Sequence, residues 1–264
     1  MTYRIHHIPV CPFSQRVEIL LALKGLTGEI AFNKVDITKP RDPALLELSK
    51  GTTALPVMEV PGKTAIKESR VILRFVESTF SERPIARIDP HEHALESLLV
   101  QREGSFGMAG YVYVMNQDRE KRPALLEKLL AEYKALNDIL VNYAPGDTWF
   151  FDAFGWAETV FTPFFMRFWF NDYYEDFALP EGPDYDRVRV WRDACLAHPA
   201  AQQVSYDEIV KLYYDYAKGA GNGALLEGRT RSSFVFDPDW RHRPMPPKDK
   251  YGVSASDAEL GLLG

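Results

Sequence analysis

The sequence predicts an α/β domain with a mixed sheet of four strands, followed by an all-helical domain. Strand-like and helix-like segments alternate over the first 80 residues in the order β-α-β-α-β-β-α, which is typical of a mixed sheet covered by helices. Beyond residue 90 the apolar residues recur at helical spacing. We therefore divide the chain into a first domain at 1–80, a linker at 81–90, a helical domain at 91–218 and an extended tail at 219–264.

A cysteine lies where the first strand meets the first helix. Tyr3 to Ile8 is typical of a short strand, and the apolar residues that follow Pro12 recur at helical spacing until Gly25, a natural helix stop. Backbone N–H groups without partners and the positive end of the helix dipole converge at Cys11, and both favour the thiolate over the thiol. We therefore predict a nucleophilic sulfur. The alternative is a small buried apolar residue.

The other elements of the first domain follow from caps, turns and alternation. Asp42 and Pro43 are an N-cap and a first-turn proline, which predicts a short helix after a strand at Glu29–Ile37. Two further strands are predicted at Leu55–Val60 and Thr64–Lys67, and a helix from Ser69.

Five helices are predicted after the linker, at residues 91–117, 120–143, 155–176, 185–197 and 205–217. The first carries Gly104, Gly107 and Gly110, which permit another backbone to approach closely. Pro163 should bend the third helix, and Ser205 opens the last with a capping box.

From Gly219 the chain is rich in Arg, Asp and Pro, a composition typical of a mobile tail. Its apolar residues favour instead a tail that lies against a folded surface; they are Phe234, Phe236, Trp240 and Met245. We expect the tail to be docked on the body of the protein or on a neighbouring subunit.

The composition limits the classes of partner that we expect for this protein. A net charge of −6 gives no reason to expect nucleic acid or anionic membranes, and no run approaches the roughly 18 apolar residues of a membrane span. We expect no signal peptide, because the N-terminus lacks its basic start and long apolar run. Two cysteines are too few for a disulfide framework, which fits a reducing cytoplasm, and the histidines form no metal-ligand spacing with them. We expect a cytoplasmic protein without a metal.

The motif Cys-Pro-Phe-Ser at residues 11–14 resembles a thioredoxin or glutaredoxin redox motif with Ser14 in place of the second cysteine. A site with two thiols closes its own disulfide, whereas a mixed disulfide on Cys11 needs an external thiol to release it. Glutathione is the abundant candidate.

Two later motifs are considered together with the motif at residues 11–14. Pro56 lies beside a predicted strand, where either a cis Leu55–Pro56 bond presents the backbone to a peptide ligand or a trans proline starts the strand. Ser69 begins a predicted helix, where its N–H and hydroxyl suit a carboxylate while Glu68 accepts from an ammonium. The alternative is a routine helix cap at Ser69.

Together the three motifs resemble the N-terminal, thioredoxin-like domain of glutathione transferases, and the cysteine narrows the resemblance to omega-like members. Residues 155–163 resemble the helix-capping motif of that family, with Gly155 in place of the usual Ser or Thr. The closing runs at 212–216, 244–247 and 257–261 resemble bacterial glutathione lyases of lignin β-aryl-ether catabolism. The resemblance implies the glutathione transferase fold and a homodimer.

The resemblance also implies the roles of single residues. Cys11 would be the catalytic residue and form a mixed disulfide with glutathione. The implied glutathione-binding residues are Phe13 beside the thiol, Leu55 and Pro56 at the cysteinyl backbone, Glu68 and Ser69 at the γ-glutamyl end, and Lys39 at the glycyl carboxylate. The local sequence leaves Arg41 as an alternative to Lys39.

The implied reaction is cleavage of a glutathionyl aryl ketone, whose carbon leaves sulfur as a delocalised enolate. Tyr213, Tyr214 or Tyr216 would offer a phenol to that enolate, and we favour Tyr214 because Tyr213 and Tyr216 share the apolar helix face with Ile209. Trp169 and Phe165 are candidates for the aryl ring, although dense aromatic residues are more typical of a core. The alternatives are a general omega-like thiol transferase or dehydroascorbate reductase and a non-catalytic ligand-binding homologue.

Overall fold

The structure is a computed structural model that describes residues 2–263. Met1 and Gly264, the first residue of the predicted first domain and the last of the predicted tail, lie outside the described residues. The chain forms two units. The first unit contains the described residues up to Val100 together with Pro145–Pro163 and Ala194–Gln203. The second unit contains Gln101–Ala144, Phe164–Asp193 and the described residues from Val204 onward. The domain boundaries at 80, 90 and 218 stay a prediction.

The first unit is built on a sheet of four strands in the order β2-β1-β3-β4. The strands are β1 (Arg4–His7), β2 (Ala31–Lys34), β3 (Val57–Glu59) and β4 (Ile66–Lys67). β1 is parallel to β2 and antiparallel to β3, and β3 is antiparallel to β4. In this register Ile5 lies opposite both Phe32 and Met58. The predicted mixed sheet is therefore confirmed, with each strand shorter than predicted.

Three helices follow the strands in the predicted order, α1 (Pro12–Lys24), α2 (Pro43–Leu48) and α3 (Ser69–Thr79). α1 ends at Gly25, whose φ of +69° is left-handed and favours glycine. The Asp42 carboxylate accepts from the Ala44 N–H at 2.8 Å, which confirms the predicted cap. α1 packs against α3 through fully buried aliphatic side chains, so the two helix starts that carry the candidate site belong to one core.

The prediction of one helix over residues 91–117 is wrong. The structure has α4 (Pro90–Val100) and α5 (Glu103–Met115), separated by a turn. Leu99 is buried in the first unit and Phe106 in the second. The apolar pattern runs on through the turn although the residues on its two sides belong to different cores, so periodicity alone does not reveal the break.

The remaining helices are α6 (Arg122–Tyr143), α7 (Trp156–Arg167), α8 (Trp169–Glu175), α9 (Asp186–Ala197), α10 (Tyr206–Leu212) and α11 (Tyr214–Ala217). Two predicted helices are each interrupted once, at Phe168 and at Tyr213. Pro163 lies inside α7, so the interruption comes five residues later than the predicted bend. Ser205 accepts from the Glu208 N–H at 3.3 Å, as predicted for a cap.

The core of the second unit is aromatic. The Phe106 ring contacts Tyr133 edge-on at 4.9 Å, and Phe165 contacts Trp191 edge-on at 5.3 Å. A Cβ on Gly107 or Gly110 would lie 2.6 Å from the Phe164 ring or 2.1 Å from the Phe168 ring. Gly107 and Gly110 therefore make room for aromatic rings, and the expected close approach of another backbone is wrong for them, whereas Gly104 faces open space.

Two buried cations tie the segment after α11 into the second unit. Arg229 lies 2.9 Å from Asp215 and 2.6 Å from Asp257, with both carboxylates nearly excluded from solvent. Lys250 donates to the carbonyls of Val114 and Asn116 at the end of α5, at 2.6 and 2.7 Å. The last carbonyls of α5 have no donor within the helix, and a lysine from a distant segment supplies one.

Within residues 2–263, every helix is too short or too polar to span a bilayer.

Candidate active site

Cys11 is the N-cap residue of α1 and has an extended backbone, with φ −75° and ψ 126°. Its N–H donates to the Ile8 carbonyl at 2.9 Å, and its carbonyl accepts from the N–H groups of Ser14 and Gln15 at 3.1 and 3.0 Å. The cap uses no side-chain hydrogen bond, so the sulfur is not consumed in holding the helix start. Cys11 keeps 9% of its surface exposed. A thiol at this point faces the positive end of α1.

The turn that follows Cys11 offers no second thiol. Phe13 is exposed beside it and Ser14 is fully buried. Cys195, the other cysteine, is fully buried, and neither cysteine forms a disulfide. A disulfide formed on Cys11 with a small thiol therefore has no thiol in the same turn to displace it.

The Leu55–Pro56 peptide bond is cis, the first of the two alternatives that the sequence left open. Pro56 is buried, and Leu55 is half-buried. β3 begins immediately afterwards at Val57, which pairs with His6 of β1. The cis bond thus lies directly at the end of a central strand.

Glu68 and Ser69 form the start of α3, but their roles differ from the expected ones. Glu68, and not Ser69, is the N-cap residue, so a routine cap by Ser69 is wrong. The backbone of Glu68 has φ +67°, a strained value for a residue other than glycine, of the kind that clusters at functional sites. Ser69 is the first helical residue and is buried. Neither its hydroxyl nor its N–H is therefore used to cap the helix.

Lys39 and Arg41 lie in the loop after β2, around Asp36. Lys39 is exposed and lies 3.2 Å from the Asp36 carboxylate. Arg41 donates to the Thr53 carbonyl at 3.4 Å, two residues before Leu55. Burial would raise the pKa of Asp36, but hydrogen bonds from Thr38 and the charge of Lys39 outweigh it and lower the pKa. The choice between the two cations stays open.

Sequence reasoning did not single out Arg16, which the structure connects to Ser69. Its guanidinium Nη1 donates to the Ser69 Oγ at 3.2 Å, and its side chain is 1% exposed. The signal available in the sequence was a permanently charged residue on the buried side of a helix that begins at the candidate nucleophile.

The residues predicted on the substrate side all belong to the second unit. Phe165 is buried in the aromatic core, and Trp169 is half-buried with its ring 6.0 Å from that of Tyr206. Tyr214 is fully buried, and its hydroxyl accepts from the Ala255 N–H at 2.9 Å. We preferred Tyr214 because its position in the sequence predicted a side chain off the apolar helix face. Its complete burial shows that this reason is wrong. The substrate role of these residues stays a prediction.

A second residue that sequence reasoning missed, Tyr111, accompanies Tyr213. Its hydroxyl lies 3.5 Å from the Tyr213 hydroxyl, and the rings of Tyr216 and Phe234 pack against Tyr213. Burial, reinforced by Tyr213, raises the pKa of Tyr111 well above its ordinary value, so the phenol stays protonated. The two tyrosines are about a hundred residues apart in the chain, and nothing in either local sequence points to the other.

A family model and a solved structure identify the fold. Residues 10–79 match the family model described as glutathione S-transferase, N-terminal domain. A solved structure, glutathione transferase Omega 3C from Trametes versicolor, superposes with a TM-score of 0.65 over 77% of this chain and 88% of that chain, at 19% identity. The chain has the glutathione transferase fold.

Two curated relatives extend the comparison over most of this chain. It is 27% identical over 232 residues to the probable glutathione transferase omega-2 of Caenorhabditis briggsae, covering 83% of this chain and 88% of the relative. It is 23% identical over 216 residues to glutathione S-transferase omega-1 of Rattus norvegicus, covering 81% and 83%. These matches support an omega-like glutathione transferase enzyme with glutathione as its co-substrate.

Within the part of the chain that the structure describes, no group of three or more His, Cys, Asp or Glu side chains is arranged to hold a metal ion. The polar groups of the site are instead a thiol, a hydroxyl, a carboxylate and a guanidinium at two helix starts. The roles of the single residues stay predictions.

Proposed function

We propose that the chain is a glutathione-dependent lyase that cleaves the thioether of a glutathionyl aryl ketone derived from lignin β-ethers. The observation that carries the proposal is the lone Cys11 thiol at the start of α1, with Ser14 where a dithiol motif has its second cysteine. A lone thiolate attacks sulfur and keeps what it attacks until another thiol arrives. The resemblance of residues 212–216, 244–247 and 257–261 to bacterial glutathione lyases supports the substrate class.

In the first step the Cys11 thiolate attacks the glutathione sulfur of the thioether. The new bond is the disulfide between Cys11 and glutathione, and the carbon–sulfur bond breaks. Its electron pair leaves with the carbon as an enolate, which one proton converts to the ketone. The reaction needs an aryl ketone because only a carbanion delocalised into a carbonyl is a good enough leaving group.

In the second step the thiolate of a second glutathione attacks the mixed disulfide. Glutathione disulfide leaves, and Cys11 returns as the thiolate. The net reaction converts one thioether and one glutathione into one ketone and one glutathione disulfide. The substrate carbon is reduced and two glutathione sulfurs are oxidised, so no further reductant is required.

In this proposal the first unit binds glutathione at two helix starts. Ser69 and Glu68 hold the carboxylate and ammonium of the γ-glutamyl end, and the left-handed backbone of Glu68 supports a functional role there. Leu55 bonds the cysteinyl backbone next to the cis Pro56, and Phe13 flanks the thiol. Lys39 attracts the glycyl carboxylate, with Arg41 as the alternative.

The enolate needs a proton donor, and Tyr213, Tyr214 and Tyr216 are the candidates. The hydroxyl of Tyr213 lies 3.5 Å from that of Tyr111, and the hydroxyl of Tyr216 donates to the Asn222 side chain at 3.1 Å. The hydroxyl of Tyr214 accepts the Ala255 N–H, so its own proton can still be donated to a ligand oxygen. This contact supports Tyr214, with Trp169 as the candidate partner of the aryl ring.

The second candidate function is a general thiol transferase that reduces mixed disulfides or dehydroascorbate. The omega-class relatives favour it, and Cys11 with the glutathione-binding residues would suffice for it. The proposal also places the reaction in the cytoplasm, which the absence of a disulfide between the two cysteines supports, and in a homodimer.

The test is mass spectrometry of the protein incubated with a glutathionyl aryl ketone and no free thiol. We expect one glutathione on Cys11 and one equivalent of released ketone, and then loss of the adduct and one equivalent of glutathione disulfide when glutathione is added. Cys195→Ser is the matched control and should behave as the wild type.

Ketone release without an adduct on Cys11 would overturn the mechanism. If the thioether does not react while a simple glutathione mixed disulfide does, the lyase proposal is wrong and the thiol transferase is right. If neither compound reacts, both proposals fail.

A further inference from the structure

We propose that Arg16 is a positioning residue that aims the Ser69 hydroxyl at the α-carboxylate of the γ-glutamyl group. The inference rests on the glutathione site proposed above, but not on the lyase reaction. It assigns recognition of one particular charged group of glutathione to a buried side chain that would not itself contact the reacting sulfur.

Arg16 is fixed on two sides within the first unit. Its Nε donates to the Val160 carbonyl at 3.0 Å, and its Nη1 donates to the Ser69 Oγ at 3.2 Å. The guanidinium also lies 5.2 Å from the centroid of the Phe13 ring. With 1% of its surface exposed, Arg16 is held between α1, the start of α3 and the first half of α7. The group that contacts Ser69 therefore has little freedom to turn.

The chemistry of the guanidinium sets the direction of the Ser69 hydroxyl. A guanidinium carries five N–H donors and no acceptor, so in this contact the Ser69 oxygen must accept. The hydroxyl proton is then directed away from Arg16 and is available to a different acceptor. Without Arg16 the hydroxyl would be able to turn and accept or donate in any direction.

The backbone favours an anion as that acceptor. Ser69 is the first residue of α3, a helix of 11 residues, and its N–H belongs to the first turn, whose N–H groups lack helical acceptors. An incoming carboxylate thus meets a backbone N–H and an oriented O–H. The fixed charge of Arg16 behind the hydroxyl adds a positive potential in a site from which water is largely excluded. Arg16 should therefore favour the carboxylate and leave recognition of the ammonium unaffected.

The test is isothermal titration calorimetry with three reduced tripeptides. They are glutathione, glutaryl-cysteinyl-glycine, which lacks the amine, and 4-aminobutyryl-cysteinyl-glycine, which lacks the α-carboxylate. We expect Arg16→Met to raise the Kd roughly tenfold or more for the first two and less than about twofold for the third, because a hydrogen bond to a charged group is lost only where the carboxylate is present.

Two comparisons make the test specific. Ser69→Ala should show the same dependence on the carboxylate, and Arg16→Met should add little to it in the double variant. Arg74→Met removes the same charge from the exposed side of α3 and should leave all three Kd values unchanged.

The possible failures are distinguishable. An equal rise in Kd for all three tripeptides with Arg16→Met would show a merely structural role and overturn the inference. If Ser69→Ala weakens the carboxylate-bearing peptides and Arg16→Met does not, the glutathione site holds and Arg16 has no part in it. If Ser69→Ala changes no Kd, the glutathione site itself is wrong.

Arg16→Lys covers the case in which Arg16→Met does not fold. It keeps the charge, but a single ammonium does not reproduce the two-sided contact to Val160 and Ser69. The same preferential loss for the carboxylate-bearing peptides is expected, at a smaller size, and an unchanged or uniform Kd would count against the inference.

Discussion

The two units encode their candidate functional residues in opposite ways. In the first unit most of these residues, such as Cys11, Pro56 and Ser69, lie within two positions of a helix start or strand start. In the second unit they come from segments about a hundred residues apart, as Tyr111 and Tyr213 do. A reactive thiol and a bound peptide both interact with backbone groups, and a short sequence motif is enough to position those groups. Recognition of an aromatic substrate would use packed side chains, which depend on the whole unit.

Carboxylates that lie away from solvent have two kinds of neighbour in this chain. Asp215 and Asp257 in the second unit are paired with Arg229, and Glu77 in the first unit is paired with Lys24. The carboxyl groups of Glu96 and Glu158, also in the first unit, both lie beside Gly155, within 4 Å of the position its Cβ would take. Substitution of one member of each arrangement tests the difference between them.

Cys11→Ser should abolish thioether cleavage, lowering the rate of ketone release at least about a thousandfold, because the serine hydroxyl is not ionised at neutral pH. Glutathione binding should survive. Cys195→Ser, which alters the buried thiol, should retain the wild-type rate. Turnover by the Cys11 variant at more than a few per cent of the wild-type rate would remove the thiol from the mechanism.

Arg229→Met should lower the free energy of unfolding by about 3–5 kcal/mol, because two buried carboxylates lose their shared partner. Urea denaturation followed by far-UV circular dichroism measures it. Lys248→Met removes an exposed partner of Asp176 and should cost less than about 1 kcal/mol. Equal effects of the two substitutions would contradict the contrast between buried and exposed pairs.

Asp257 should make the same network sensitive to acid. Burial raises the pKa of this carboxyl, but hydrogen bonds from Thr230 and Arg229 outweigh it and lower the pKa to about 2. The folded state therefore holds the proton less tightly than the unfolded chain, so this stabilisation is complete above about pH 4 and is lost as the pH falls towards 2.

Glu96→Gln should change the pH dependence in the opposite sense. Burial, reinforced by the charge of Glu158, raises the pKa of Glu96 from 4.5 to about 7. The folded state binds this proton more tightly than the unfolded chain does, so the free energy of unfolding falls as the pH rises from about 4.5 to 7. Between pH 5 and pH 8 the variant should therefore gain as much as about 3 kcal/mol relative to wild type.

Urea midpoints at the two pH values measure this gain. Glu82→Gln, at an exposed position, should follow the wild type at both. Parallel curves for wild type and Glu96→Gln would show that the carboxyl does not titrate in this range.

Lys39→Met should raise the Kd for glutathione about twofold to fivefold, the size expected for an exposed ion pair. The effect should shrink at high salt, because exposed charges are screened. Lys63→Met, an exposed cation in the turn between β3 and β4, is the matched control. If only Arg41→Met weakens binding, the glycyl carboxylate belongs to Arg41.

The features that sequence analysis predicted depend on local contacts, and those that it missed depend on distant ones. The sheet and its helices were predicted because caps such as Asp42 and stops such as Gly25 act locally. The break between α4 and α5 was missed because Leu99 and Phe106 continue one periodicity into two cores. The role of Tyr214 was argued from a helical face, but the segment that buries it, with Ala255, lies about forty residues away. Periodicity carries no information about such partners.

Arg16 was missed for the same reason, since Val160 follows it by 144 residues. The first unit is assembled from three separate stretches of chain, the last of them ending at Gln203. During translation the nucleophile is thus made early, whereas the carbonyl that steadies its neighbouring guanidinium emerges much later. A fragment cut after the predicted first domain would carry every motif that a sequence reader recognises and still lack this support. The unit that carries the candidate site is therefore completed only by the two later stretches, and grafting it onto another protein requires them as well.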